Sequence, residues 1–316
     1  MKKSLVVLLM LLMLVGCSGE QSADVEPEEK VFNVGILQLV QHEALDQATQ
    51  GFKDALKDKL GDKVVFDDQN ASGDAANCST IANQFVANEA DLIFANATPA
   101  LQACVTATDS IPVVATSVTA FKVALNIDNW NGTTGINATG TSDLAPLDQQ
   151  AAQVLEVVPE AKKVAIFFCS AEPNSVFQAD EIEKHFAALG IETQRFTFAD
   201  SNDIAQVAQN ACEWADVVYV PTDNTAASYA SADQFFKPVV AGEAGICKKI
   251  GVVTISITYY DIGYRAGEMA YDILVNGADP ATMKVEEVTK TTKMFNPELC
   301  EKFGITVPDG YISLAD

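Results

Sequence analysis

Hydroxyl, amide and carboxylate side chains gather in the turns after short apolar runs, and those turns hold most of the chemistry in this sequence. In LIFANATPALQ, Thr98 stands before Pro99 as the expected cap of a helix, and VVATSVT sets Ser117 and Thr119 after another run. FFCSAEPNS brings Asn174 and Ser175 to a second helix start. YVPTDNT brings Thr222, Asp223 and Asn224 to a third, and VVAGEAG adds Glu243. Helix N-termini present unpaired N–H groups and the positive end of the helix dipole, a setting that favours a carboxylate. Asp223 and Glu243 instead suit an ammonium group through charge-assisted hydrogen bonds. A site with one end for an anion and another for a cation matches a free amino acid. Each of these residues also serves as an ordinary helix cap, so spacing alone leaves both roles open.

Catalytic patterns are mostly absent. The chain has two histidines. His185 lies among charged residues in EIEKHF, while His42 follows the first apolar run and either edges a cleft or enters a helix. No GxSxG elbow, P-loop, GxGxxG or HExxH pattern occurs. Gly263 and Gly267 in GYRAG, four apart on a helix, mark close packing more simply than phosphate binding. The cysteines form no zinc-ligand spacing, so no metal and no cofactor is expected. A net charge of −23 disfavours nucleic acid, which needs clustered Lys and Arg.

The elements that must position these turns alternate regularly. Strands read at Phe32–Leu37, Val64–Asp67, Asp91–Ala95 and Pro112–Thr116. They read again at Lys163–Phe168, Glu192–Thr197, Asp216–Val220, Pro238–Ala241 and Gly251–Ser256. Helices fall between them near Ala44–Lys59, Ala76–Asn88, Pro99–Thr108, Ser175–Leu189, Asp203–Trp214, Thr225–Phe235 and Ile262–Asn276. Runs such as VAIFF, VVYV and LIFA are apolar on both faces, as in a parallel sheet covered by helices on both sides. The fold class is α/β, with two doubly wound parallel-sheet lobes and a cleft between them.

The N-terminus reads as an export signal. Lys2 and Lys3 precede the apolar run Leu5–Val15, which is shorter than the roughly 20 residues that span a bilayer. Gly16 before Cys17 matches a bacterial lipobox, with lipid on the Cys17 thiol. The expected organisation is a signal peptide at 1–16, a lipidated tether at 17–30 and an N-terminal lobe at 31–120. An interlobe crossover follows at 121–143, a C-terminal lobe at 144–258, and a return to the N-terminal lobe and hinge at 259–316. Phe121–Ser142, rich in Asn, Gly and Thr, reads as a crossover rather than a core element. Lys284–Phe295 alternates like a strand. Six further cysteines in an exported chain permit disulfides, although a fold this large does not need them, which leaves free buried thiols as the alternative for some. Cys78 and Cys104, on helices expected to share a sheet face, are the favoured pair.

Several stretches together resemble one family. VGILQLVQHEALDQATQGFKDAL, ANATPALQA, TGTSDLAPLDQQ, SAEPNSVFQ, YVPTDNT, AGEAGICK and SITYYDIGYRAGEMA resemble lipid-anchored substrate-binding proteins of ABC transporters, of the tryptophan-binding-protein-like kind. The resemblance covers Val31–Ile305. It implies a type I periplasmic-binding-protein fold with a multi-crossing hinge, and an aromatic amino acid as ligand. It also implies an extracytoplasmic setting, with permease and ATPase partners. By position, Thr98, Ser117 and Thr119 would face the ligand carboxylate, and Asp223 and Glu243 the ammonium. Gln38, Asn174, Ser175 and Asn224 would line the cleft. Phe177, Tyr229 and Tyr260 are candidates for aromatic pocket surface. A sensing lipoprotein that docks to a receptor is the alternative on the same fold. An extracytoplasmic enzyme is disfavoured by the lack of nucleophile motifs.

Overall fold

The computed structural model describes residues 30–287 and 290–315. Cys17 and the expected signal and tether lie outside the described residues, except Lys30. The first lobe runs β1 (Phe32–Gln38), α1 (Glu43–Leu60), β2 (Val64–Asn70), α2 (Ala75–Ala87), β3 (Leu92–Asn96), α3 (Thr98–Ala107), β4 (Val113–Val118), α4 (Phe121–Ala124) and β5 (Ala138–Ser142). The second runs α5 (Leu147–Val157), β6 (Lys163–Cys169), α6 (Pro173–Ala188), β7 (Glu192–Phe198) and α7 (Ile204–Trp214). It continues with β8 (Val217–Val220), α8 (Asn224–Tyr229), β9 (Val239–Ala241), α9 (Ala244–Lys249) and β10 (Val253–Ser256). The chain ends with α10 (Tyr259–Asn276), β11 (Glu286–Glu287), β12 (Thr292–Phe295), α11 (Pro297–Phe303) and β13 (Ile312–Ser313).

Strands β3, β4, β5 and β8 are buried throughout, because helices cover both faces of each sheet. The first sheet has the order β11-β5-β4-β3-β1-β2, all parallel; the second has β13-β12-β10-β9-β8-β6-β7, with β10 and β12 antiparallel. In each lobe the order reverses at the first strand, β1 or β6. Crevices beyond the carboxyl ends of strands at such a switch point are the usual ligand sites of this architecture. The chain crosses between the lobes three times: after β5, after β10, and between β11 and β12.

The last helix of that path explains the GYRAG glycines. Helix α10 follows the second lobe's β10 but packs along α1 of the first lobe. A Cβ on Gly263 would overlap the Ala48 carbonyl, and one on Gly267 would meet the Phe52 carbonyl at 2.6 Å. Gly51 on α1 answers them, since a Cβ there would overlap the Tyr260 carbonyl. Absence of side chains at these positions lets two helix backbones touch beside the hinge.

Several sequence expectations are revised. Phe121–Ser142 contains a short helix and a core strand, because Gly140 lets β5 approach the Ala115 carbonyl and Thr116 bonds Thr141 at 2.7 Å. Lys284–Phe295 is split between the two sheets, and residues after α10 contribute to both lobes. The helix read at Thr225–Phe235 stops at Tyr229, and Ser231 then caps a separate turn at Ala232–Gln234. The Cys78–Cys104 bridge is not present. Both thiols are buried and free in the core between α2 and α3, where burial pushes the Cys78 thiol up to about 11 and the Cys104 thiol higher still. The other described cysteines are also free and buried.

Candidate functional site

The expected ligand residues of the first lobe stand at the carboxyl ends of β1, β3 and β4. Thr98 is not the cap of α3. Ala97, with φ of 99°, takes that position, and Thr98 begins the helix with Pro99 next to it. Freed from capping, the Thr98 hydroxyl is buried without a hydrogen-bond partner. Ser117 shares that condition, and its backbone is left-handed at φ 54° where the β4–β5 register shifts. Irregularities of this kind re-aim a side chain beside a site. Thr119 is buried just beyond them, its carbonyl accepting from Ser142 Oγ at 3.0 Å. Gln38 turns inward to its own lobe. Its amide donates to Val40 O and Asp46, and its oxygen accepts from Thr49.

On the second lobe the acidic residues act first as helix caps. Asp223 caps α8 by accepting from Ala226 N at 2.7 Å, and its other oxygen accepts from Cys169 N at 2.8 Å and Ser175 Oγ at 2.7 Å. Burial, then the nearby Glu172 carboxylate, raises the Asp223 carboxyl above its ordinary range. Glu243 caps α9, its two oxygens accepting from Ile246 N and Gly245 N, each at 2.6 Å. Burial outweighs those two bonds and pushes its carboxyl up to about 7. Asn174 donates to Thr222 O and to Glu172, and its own oxygen is buried and unpartnered.

Glu172, Asp143 and Tyr259, which the sequence reading left out, belong to the same zone, and so does His42, for which it left open a cleft-edge or a helix-entry role. Glu172 precedes α6 without a side-chain cap bond to it and instead ties down Asn224 and Thr225. Asn224 donates to Glu172 through Nδ2, so its oxygen is the acceptor for His42 Nε2 at 3.2 Å. That bond joins the lobes and requires the neutral imidazole to carry its proton on Nε2, leaving Nδ1 buried and unpartnered. Burial lowers the His42 pKa, in keeping with a neutral ring. Asp143 and Tyr259, from the first two crossings, meet at 3.0 Å between hydroxyl and Oδ2. The sequence signal for Asp143 was available in TGTSDLAP, since it directly follows a strand end.

A cleft of about 370 Å³ opens between the lobes. Leu39, Val40, Gly73 and Pro99 line one wall; Ala171, Glu172, Asn224, Thr225 and Tyr229 line the other. Its size falls in the small-molecule range. Of the expected set it touches Asn224 directly and Thr98 only through its neighbour Pro99. The remaining expected residues lie in the closed zone behind it or within their own lobes. Among the aromatic candidates, Tyr229 lines this cleft. Phe177 lines a separate hollow on the second lobe with Leu144 and His185, and Tyr260 bonds Asp54 on α1.

The family model described as ABC transporter substrate binding protein matches residues 33–316. The chain belongs to this family. Members of the family work outside the cytoplasm as receptors for a transported solute. Among relatives of this substrate-binding protein, a protein of Clostridioides difficile named tyrosine-binding protein is 32% identical over 300 residues, covering 90% of this chain and 86% of that one. The ABC domain from Streptococcus pneumonia in complex with L-Trp superposes with a TM-score of 0.85 at 29% identity, covering 89% and 97% of the two chains. A ligand-free, open substrate-binding protein with adhesive properties from Clostridium difficile gives 0.67 at 32% identity, covering 90% and 99%. The chain as a whole therefore superposes better on the complexed relative than on the open one.

Proposed function

We propose that this substrate-binding protein captures a zwitterionic amino acid with an aromatic side chain and passes it to a permease driven by a cytoplasmic ATPase. A lipid on Cys17 is proposed to hold it at the membrane. The observation that carries the ligand reading is the pair of buried, unpartnered hydroxyls of Thr98 and Ser117 at neighbouring strand ends. A buried polar atom without a partner is costly, and a ligand carboxylate would satisfy both hydroxyls together with the Thr119 side chain. Asp223, Glu243 and Glu172 on the second lobe are buried acids, and Asp143 at the first crossing is a fourth. That charge pattern suits an ammonium group. Ser175 holds Asp223, Asn174 and Asn224 hold Glu172, and Gln38 braces the β1 turn. The L-Trp complex and the tyrosine-binding name of the relatives point to the aromatic class. Tyr229 offers ring surface in the cleft.

Closure of two lobes on a ligand stabilises the closed state by the ligand's greater affinity for it. Addition of L-tryptophan, L-tyrosine or L-phenylalanine is expected to raise the melting temperature and reduce the radius of gyration in solution scattering. A complete amino-acid panel that moves neither quantity, while another solute class moves both, refutes the ligand assignment.

A further inference from the structure

An ammonium group needs a carboxylate oxygen with room to accept, and the buried acids in and behind the cleft differ in this respect. Asp223 accepts from three donors within its own lobe, and Glu243 has one backbone N–H on each oxygen. Glu172 is saturated by Asn174, Asn224 and Thr225. Asp143 stands apart. It is 3% exposed, its Oδ2 accepts from the Tyr259 hydroxyl, and its Oδ1 has no partner.

Its position fits the same purpose. Asp143 follows the carboxyl end of β5, and Ser142 before it bonds the Thr119 carbonyl, so it extends the row that contains Ser117 and Thr119. Tyr259 opens α10 after the second lobe's β10, so the pair joins the first two crossings between lobes. The groups that set the protonation of Asp143 are hydrogen-bond donors, Tyr259 and Thr119 among them, and burial; no cation is among them. Glu243 faces the same Tyr259, adding a second negative charge. A buried carboxylate in this setting is destabilised until it gains a proton or a cationic partner.

We propose that Asp143 Oδ1 receives the ammonium group of the ligand, while Tyr259 fixes the carboxylate through Oδ2. Asp223 and Glu243 then contribute negative potential and helix capping rather than direct contact. This assignment rests on the zwitterion reading above and sharpens it: the site selects amines over otherwise identical carboxylic acids. Because the residue sits in a crossing segment, ammonium binding takes place at the hinge itself.

The test compares each aromatic amino acid with its desamino counterpart, such as L-tryptophan with indole-3-propionate, by isothermal titration. The parent is expected to favour the amine by about tenfold to a hundredfold, the range of a charge-assisted hydrogen bond. Asp143→Asn should lose most of that preference while retaining affinity for indole-3-propionate. An Asp143→Asn variant that keeps the full preference overturns the assignment. A crystal structure of the parent with L-tryptophan supplies a second measurement that needs no variant. Nitrogen at hydrogen-bond distance from Asp143 Oδ1 supports the proposal, and nitrogen bound only to Asp223 or Glu243 overturns it. A parent that binds no aromatic amino acid refutes the ligand reading itself, an outcome distinct from a retained preference.

Discussion

Glu243 offers a test of how burial and capping compete in this cleft. Its carboxyl is raised from 4.5 to about 7, chiefly by burial, despite the two N–H bonds that favour the charged form. The folded protein therefore keeps this proton at pH values where the unfolded chain has lost it. Stability from this group is greatest at low pH, falls as pH rises between the unfolded and folded values, and levels off above the folded value. Between pH 5 and pH 8 the loss amounts to about 2 kcal/mol. Glu243→Gln preserves size and removes the titration. The amide keeps one acceptor for Gly245 N or Ile246 N and sets an NH2 against the other, which costs about 1 kcal/mol, as for a weakened cap. At pH 5, already above the unfolded value, the parent has lost about 1 kcal/mol, so the two proteins should be of similar stability there, and at pH 8 the variant should be more stable by about 2 kcal/mol. Urea unfolding followed by circular dichroism at both pH values measures the two differences. Equal differences at pH 5 and pH 8 would refute the claim that this carboxyl is destabilised by burial.

Three further outcomes are expected. Gly263→Ala should destabilise the protein by about 1–3 kcal/mol through forced separation of α1 and α10, read as a lower urea midpoint, whereas Gly277→Ala at an exposed helix end should act only through its left-handed backbone. Thr98→Ala should weaken aromatic amino-acid binding with little loss of stability, because its hydroxyl makes no hydrogen bond within the protein; a large fall in melting temperature would contradict this. In the native host, Cys17→Ala should release the protein from membranes or leave the signal uncleaved, and fractionation that finds the parent fully soluble would reject the anchor.

Much of the fold could be read locally because the parallel strands are apolar on both faces. LIFAN, VVATSV and KVAIFFC announce themselves without knowledge of their neighbours, and helical spacing between them supplies the layers. The strand β5 could not be read this way. ATGTS has small and polar residues, and it becomes core only because Gly140 fits against Ala115 and Thr141 meets Thr116. Helices α5 and α9 also lack a distinct start signal: α5 follows Pro146 without a side-chain cap, and α9 depends on a glutamate cap.

The site divides along the same line. Sequence alone placed Thr98, Ser117, Asn174, Asp223 and Glu243 at strand ends, because strand-to-helix turns in this architecture must fall there. Chain direction and apolar pattern suffice for that. Which polar atoms are already occupied was decided only by tertiary structure. Asp223 and Glu243 lie within reach of their own helices' N–H groups, whereas Thr98 starts its helix without capping it and Asp143 meets the Tyr259 hydroxyl from 116 residues away. Hydrogen-bond saturation depends on groups brought together across both lobes, and no local spacing encodes it.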